Sequence, residues 1–117
     1  MNVVANVLAG LVAALHLYFL VLEMFLWTKP TGRKVFGNTP EFAEASKVLA
    51  ANQGLYNGFL VAGLAWGIGS DRTDVTVFFL GCVVVAGLYG AATVSRRILV
   101  VQALPALVAL VAVLAAS

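Results

Sequence analysis

His16 and Glu23 sit in an otherwise apolar run, LVAALHLYFLVLEMFLW, and amides and phenols follow at Asn52, Gln53, Tyr56, Asn57, Tyr89 and Gln102. A carboxyl and an imidazole give and take protons, while amides and phenols orient a polar molecule through hydrogen bonds. A low dielectric favours the uncharged form of both ionisable groups, the state from which acid–base work begins. These types predict Glu23 and His16 as catalytic groups and the six amide and phenol residues as substrate-binding groups. Each also has a plainer role. Glu23 can snorkel to a nearby interface or pair with Lys29, Arg96 or Arg97, His16 can be a structural hydrogen-bonder, and Asn52, Gln53 and Asn57 can be interhelical glue.

The elements that position these side chains follow from composition. The 117 residues are 62% hydrophobic and 10% charged, with a mean hydropathy of +1.03, a balance in which lipid is the solvent. Apolar stretches at about 3–27, 48–69, 75–94 and 98–116 each approach the roughly 20 residues that cross a hydrocarbon core as helix. No segment alternates polar with apolar, which excludes a β-barrel reading. The first stretch lacks the basic leader of a signal peptide and contains His16 and Glu23, so it reads as a retained helix. Cys82 stands alone in the third stretch, which leaves no intrachain disulfide and no cysteine-based metal site. The expected fold is therefore all-α: one integral membrane domain over 1–117, a four-helix up-down bundle with helices at about 3–27, 40–69, 75–94 and 98–116.

The connections refine this. Pro30, Gly32, Gly37 and Asn38 mark the first as irregular chain. After it Thr39 reads as an N-cap, Pro40 suits a first helical turn, and Glu41 and Glu44 meet the positive end of the dipole. A helix over 40–69 is about 45 Å long, so its first turns lie at or above the headgroups. GSDRTD and VSRR are short links that force antiparallel neighbours. Lys29, Arg33, Lys34 and Lys47 lie in the first connection and Arg96 and Arg97 in the third, six of the 7 basic residues. The positive-inside rule then puts these two connections in the cytoplasm and both termini on the non-cytoplasmic side. The localisation implied is a bacterial inner (plasma) membrane, crossed several times. The net charge of +2 reports this topology, and no nucleic-acid partner is implied.

On that frame the polar groups share a depth. Glu23 lies about 6 Å and His16 about 16 Å below the interfacial Trp27, while Asn52 and Gln53 lie about 6 to 8 Å and Tyr56 and Asn57 about 12 to 14 Å below Val48. Tyr89 and Gln102 fall in the same half. This coincidence predicts one cytoplasm-facing pocket for a small lipophilic or amphipathic molecule, with membrane lipid as the other partner. An acid–base isomerase or hydrolase is the leading expectation. A proton-coupled transporter of small-multidrug type is the alternative, disfavoured by the strong orientation bias and the apolar outer half. A non-catalytic structural subunit is the third class. Gly54 and Gly58, and again Gly63 and Gly67, have G-x-x-x-G spacing that admits a closely packed helix, within the chain or in a homo-oligomer. Trp27 and Trp66 read as interfacial anchors, and Pro105 as a kink in the fourth helix. No cofactor is expected. Haem on His16 stays open as an alternative with a single axial ligand, and His16 with Glu23 is too small a set for an ordinary metal site.

The strings H-L-Y-F-L-V-L-E-M-F-L-W and A-N-Q-G-L-Y-N-G-F-L-V-A-G-L resemble the small bacterial membrane proteins grouped as domain of unknown function thirteen-zero-four. The resemblance covers nearly the whole chain. It implies a four-helix membrane fold and brings no activity with it. Y-N-G-F-L also resembles, over fewer residues, the L-N-G segment of haem-containing styrene oxide isomerases. Those enzymes carry a haem-ligating histidine just before the asparagine, and this chain has none there.

Overall fold

The computed structural model describes residues 1–117 and is all-α. Its elements are α1 (Val3–Met24), α2 (Pro30–Phe36), α3 (Pro40–Gly69), α4 (Thr73–Thr93), a π-helical turn (Leu99–Ala103) and α5 (Leu104–Ala116). Three helices are long and apolar enough to cross a membrane: Val3–Met24, Thr73–Thr93 and Leu99–Ala116, the last counted with its π turn. The 30-residue α3 is longer than any of these, but Asn52, Gln53, Tyr56 and Asn57 keep it out of that class.

Two compact units divide the chain, Leu15–Val61 and a second made of Met1–Ala14 with Ala62–Ser117. In the first, α1 ends at Met24, short of Trp27, and the chain re-forms a helix at once. The stretch expected to be irregular is the helix α2, and the residues read as breakers are its start and stop signals. Pro30 occupies the first turn, where its missing N–H is no loss. Gly37 ends the helix with φ 69°, the left-handed conformation a glycine adopts without penalty, and returns its N–H to the Arg33 carbonyl. Thr39 then caps α3, its Oγ1 accepting the Phe42 N–H at 3.1 Å.

In the second unit α1 opens on Asn2, whose Oδ1 accepts the Ala5 N–H at 2.9 Å. The N-terminal amine reaches Asp71 in the α3–α4 turn at 3.1 Å. α4 buries Val83 and Gly87, and the π turn with α5 buries Ala103, Ala106 and Ala109, small residues at helical spacing. A Cβ on Gly87 would stand 2.9 Å from the Ala103 backbone nitrogen, so the glycine sets how closely the two chains approach. Pro105 interrupts the hydrogen-bond ladder of the last helix. It can supply no N–H to the carbonyl four residues back, and its ring crowds that carbonyl. The ladder widens just before it, the Leu104 N–H bonding the Leu99 carbonyl five residues back.

Candidate functional site

The unit Leu15–Val61 contains His16, Glu23, Asn52, Gln53, Tyr56 and Asn57. Two of these meet. Asn57 Nδ2 donates to Glu23 Oε1 at 2.5 Å, across 34 residues of sequence. Glycines make the contact geometrically feasible. Gly54 and Gly58 lie three residues before and one after Asn57, on the same side of α3. A Cβ at Gly54 would be 2.5 Å from Met24 Cγ and 3.3 Å from Glu23 Cβ, and one at Gly58 would be 3.1 Å from Leu20 Cδ1. Leu20, Glu23 and Met24 of α1 thus lie on Gly54, Asn57 and Gly58 of α3, each set one helical patch. The first G-x-x-x-G is used inside the chain.

Asn57 is 7% exposed, whereas Glu23 is half-buried. Glu23 takes part in none of the ion pairs, which join Met1 to Asp71, Lys47 to Glu44 and Arg72 to Asp74. The expected pairing with Lys29, Arg96 or Arg97 is therefore not made. One carboxyl oxygen of Glu23 is held by the amide, and no protein group holds the other.

His16 is fully buried, and its ring stands edge-on to Phe19 with centroids 5.4 Å apart. An imidazole with no exposed surface offers no axial position to a haem, and no group of three or more His, Cys, Asp or Glu side chains could hold a metal ion. Asn52, Gln53 and Tyr56 are exposed. Asn52 lies about 140° around α3 from Asn57 and Gln53 about 40° from it, so Gln53 alone of the three shares the Glu23 side.

Tyr89 and Gln102 belong to the other unit. Tyr89 is 73% exposed on α4. Gln102, in the π turn, donates from Nε2 to the Val83 carbonyl at 3.3 Å, a helix-to-helix tie. Ser46 is a residue that sequence reasoning passed over. Its hydroxyl accepts the Trp27 indole N–H at 3.0 Å and donates to the Phe42 carbonyl at 2.7 Å, and Phe36 packs on the same indole at 5.0 Å between centroids. The signal was present in the sequence: a small hydroxyl within the first turns of α3, at the level an interfacial tryptophan should occupy. Trp66, in the other unit, has the Arg72 guanidinium 5.7 Å from its ring centroid.

Residues 10–114 match the model of a family described as protein of unknown function (DUF1304). The chain is also similar to the uncharacterized protein YpaA of Lactococcus lactis subsp. lactis (strain IL1403), 32% identical over 115 residues, covering 95% of this chain and 97% of that one. No solved structure matches.

Proposed function

The chain belongs to the DUF1304 family, and from that premise we propose a multi-pass protein of the bacterial plasma membrane that holds a small amphipathic molecule at Glu23. One observation carries the reading: the Glu23 carboxyl, in the last turn of an apolar helix and half-buried, is anchored by Asn57 through one oxygen and left without a protein partner on the other. A carboxyl so placed can accept a hydrogen bond from a hydroxyl or amine of a ligand lying in the leaflet, or exchange a proton with it. Asn57 fixes its rotamer, and Gln53, on the same side of α3, is the next amide a bound molecule would reach. Acid–base isomerisation, or hydrolysis with a water that reaches the half-exposed carboxyl, is the chemistry that suits one mobile proton here. His16, closed in on all sides, is assigned here to structure, and the proton-exchanging role falls to Glu23 alone.

The membrane placement in this proposal has four crossings, α3 included, running alternately up and down with both termini outside. Two contacts support alternate directions. The start of α1 meets the end of α3 through the N-terminal amine and Asp71, and the end of α1 meets the start of α3 through Trp27 and Ser46. Lys29, Arg33, Lys34 and Lys47 cluster at the Trp27 end, which the positive-inside rule assigns to the cytoplasm.

Native mass spectrometry of the gently solubilised protein, beside Glu23→Gln, tests the ligand. A discrete small molecule on the wild type that the variant loses is the expected result. The same bulk lipid on both overturns the proposal.

A further inference from the structure

The chain has 5 acidic side chains, and all but one are engaged. Glu23 bonds Asn57, Glu44 pairs with Lys47, Asp71 with the N-terminal amine and Asp74 with Arg72. Glu41 alone is uncommitted. Against it stand Lys29, Arg33 and Lys34, close together in sequence and joined to no carboxylate. No other helix brings a free acidic side chain to neutralise them, wherever that helix lies.

These cations ride on a seated helix. A Cβ on the buried Gly32 of α2 would collide with the Leu26 carbonyl and come 3.2 Å from Trp27 Cα, so α2 packs directly on the chain that leaves α1. Phe36 closes on the Trp27 indole, and Ser46 holds the indole N–H. α2 is thereby tied to the level of Trp27, where an amphipathic ring meets the headgroups. Around α2 from Gly32, Arg33 lies about 100° and Lys34 about 160°, so both leave the packed side. Lys29, where the helix starts, is one turn from Arg33 and, like Lys34, exposed. Arg33 Nε donates to the Thr28 carbonyl at 3.3 Å, which steadies the guanidinium and leaves its two terminal nitrogens unbonded within the chain.

We propose that Lys29, Arg33 and Lys34 form a docking surface for the headgroup of an acidic phospholipid, held beside Trp27. Charge and level together name the occupant. Guanidinium N–H groups meet phosphate oxygens in a matching fork, and the two ammonium groups add point charges. An acidic headgroup arrives with its negative charge intact, whereas a zwitterionic one carries its own ammonium. Topology requires only that positive charge stay on one side of the membrane. It does not require that charge to sit on a packed helix with a guanidinium tied to the backbone. The inference rests on the membrane placement proposed above and not on the ligand at Glu23, which lies about 6 Å deeper than Trp27.

The test is lipid-selective quenching. The full chain carrying Trp66→Phe, with Trp27 its one tryptophan, is reconstituted in vesicles of phosphatidylcholine and phosphatidylglycerol. One lipid or the other carries brominated acyl chains, which quench indole fluorescence. At equal mole fraction brominated phosphatidylglycerol should quench Trp27 about threefold more effectively than brominated phosphatidylcholine. That preference should vanish in about 1 M salt, where the Debye length is about 3 Å, and in the pair Lys29→Gln and Lys34→Gln. It should persist in Glu23→Gln, which separates this surface from the ligand site. The companion chain Trp27→Phe reads Trp66, whose neighbour Arg72 is already paired with Asp74, and should show no preference. Equal quenching of Trp27 by the two lipids overturns the proposal and leaves the cations to a soluble acidic partner. An equal preference at Trp66 is general lipid selectivity and overturns it too. Quenching by neither lipid takes Trp27 out of the membrane and overturns the placement as well. The salt arm decides the matter even where the doubly substituted chain fails to insert.

Discussion

Asn57 of α3 donates its amide to the Glu23 carboxyl of α1 beside Gly54 and Gly58, whose missing side chains leave room for Leu20 and Met24. The three features belong together, since a side chain at Gly54 would run into Met24 and crowd Glu23 and the Leu20 carbonyl, while one at Gly58 would press on the end of the Leu20 side chain. The same geometry separates holding the helices from the ligand role proposed for Glu23, because the Asn57 bond uses one oxygen and leaves the other.

Substitution can divide those roles. Glu23→Gln keeps a carbonyl oxygen for Asn57 to bond but cannot exchange a proton, so its stability should stay within about 0.5 kcal/mol of wild type. Asn57→Ala removes the donor and should cost about 1 to 3 kcal/mol, the range for a buried partner left unsatisfied. Reversible denaturation in detergent or lipid nanodiscs reads both, and equal losses from the two variants would mean that the pair is purely structural.

The glycines sort by what a methyl group would meet. A Cβ at Gly54 runs into Met24 and lies 3.3 Å from the Leu20 carbonyl oxygen, so Gly54→Ala should destabilise by about 1 to 3 kcal/mol. At Gly10 nothing lies within 4 Å. There alanine gains helix propensity, and Gly10→Ala should be neutral or stabilising by up to about 1 kcal/mol. Thermal unfolding of the two variants side by side decides the point, and the order of their midpoints is the prediction.

At the polar end of α3 the hydroxyl cap and the left-handed glycine before it should act locally. Thr39→Ala loses the bond to the Phe42 N–H and should cost about 1 kcal/mol. Gly37→Ala forces a Cβ into φ 69° and should cost a similar amount, about 1 to 2 kcal/mol. Amide hydrogen exchange should rise at Phe42 and Ala43 in the first variant and leave the apolar half of α3 unchanged. Faster exchange throughout α3 would show that its extramembrane turns hold the whole helix in place.

Much of this was legible in the residues themselves, for identifiable reasons. Helix class follows from unbroken hydrophobicity over spans of fixed length, and three of the four stretches read are helices apolar enough to cross a membrane, while the amides of α3 leave the fourth below that level; Thr39 with Pro40 announces where α3 begins. Helix α2 was not legible, because Pro30 and Gly37 read as breakers until it is seen that they bracket a helix of 7 residues. The Glu23–Asn57 contact was half legible: equal depth can be counted along a helix, whereas facing direction depends on which stripe of α3 meets α1. Equal depth alone also grouped Asn52 and Tyr56 with Glu23, although they lie on another face. The π turn escaped because a proline signals that the hydrogen-bond ladder must break and not how it re-forms.

That turn supports a last prediction. Gln102 reaches the Val83 carbonyl from the widened segment, and Gly87 gives the same segment room by admitting Ala103 to within 2.9 Å of where its Cβ would be. Gln102→Leu removes one interhelical hydrogen bond and should cost about 0.6 to 2 kcal/mol. Gly87→Ala must displace backbone atoms of the turn and should cost about 1 to 3 kcal/mol. If the close approach is what brings Gln102 to Val83, then Gly87→Ala already breaks that bond, and the double variant should be less destabilised than the two single costs added. A full cycle of unfolding free energies measures the shortfall. Strict additivity would show that Gln102 finds the Val83 carbonyl whatever the spacing of α4 and the turn, and would assign Gly87 to packing alone.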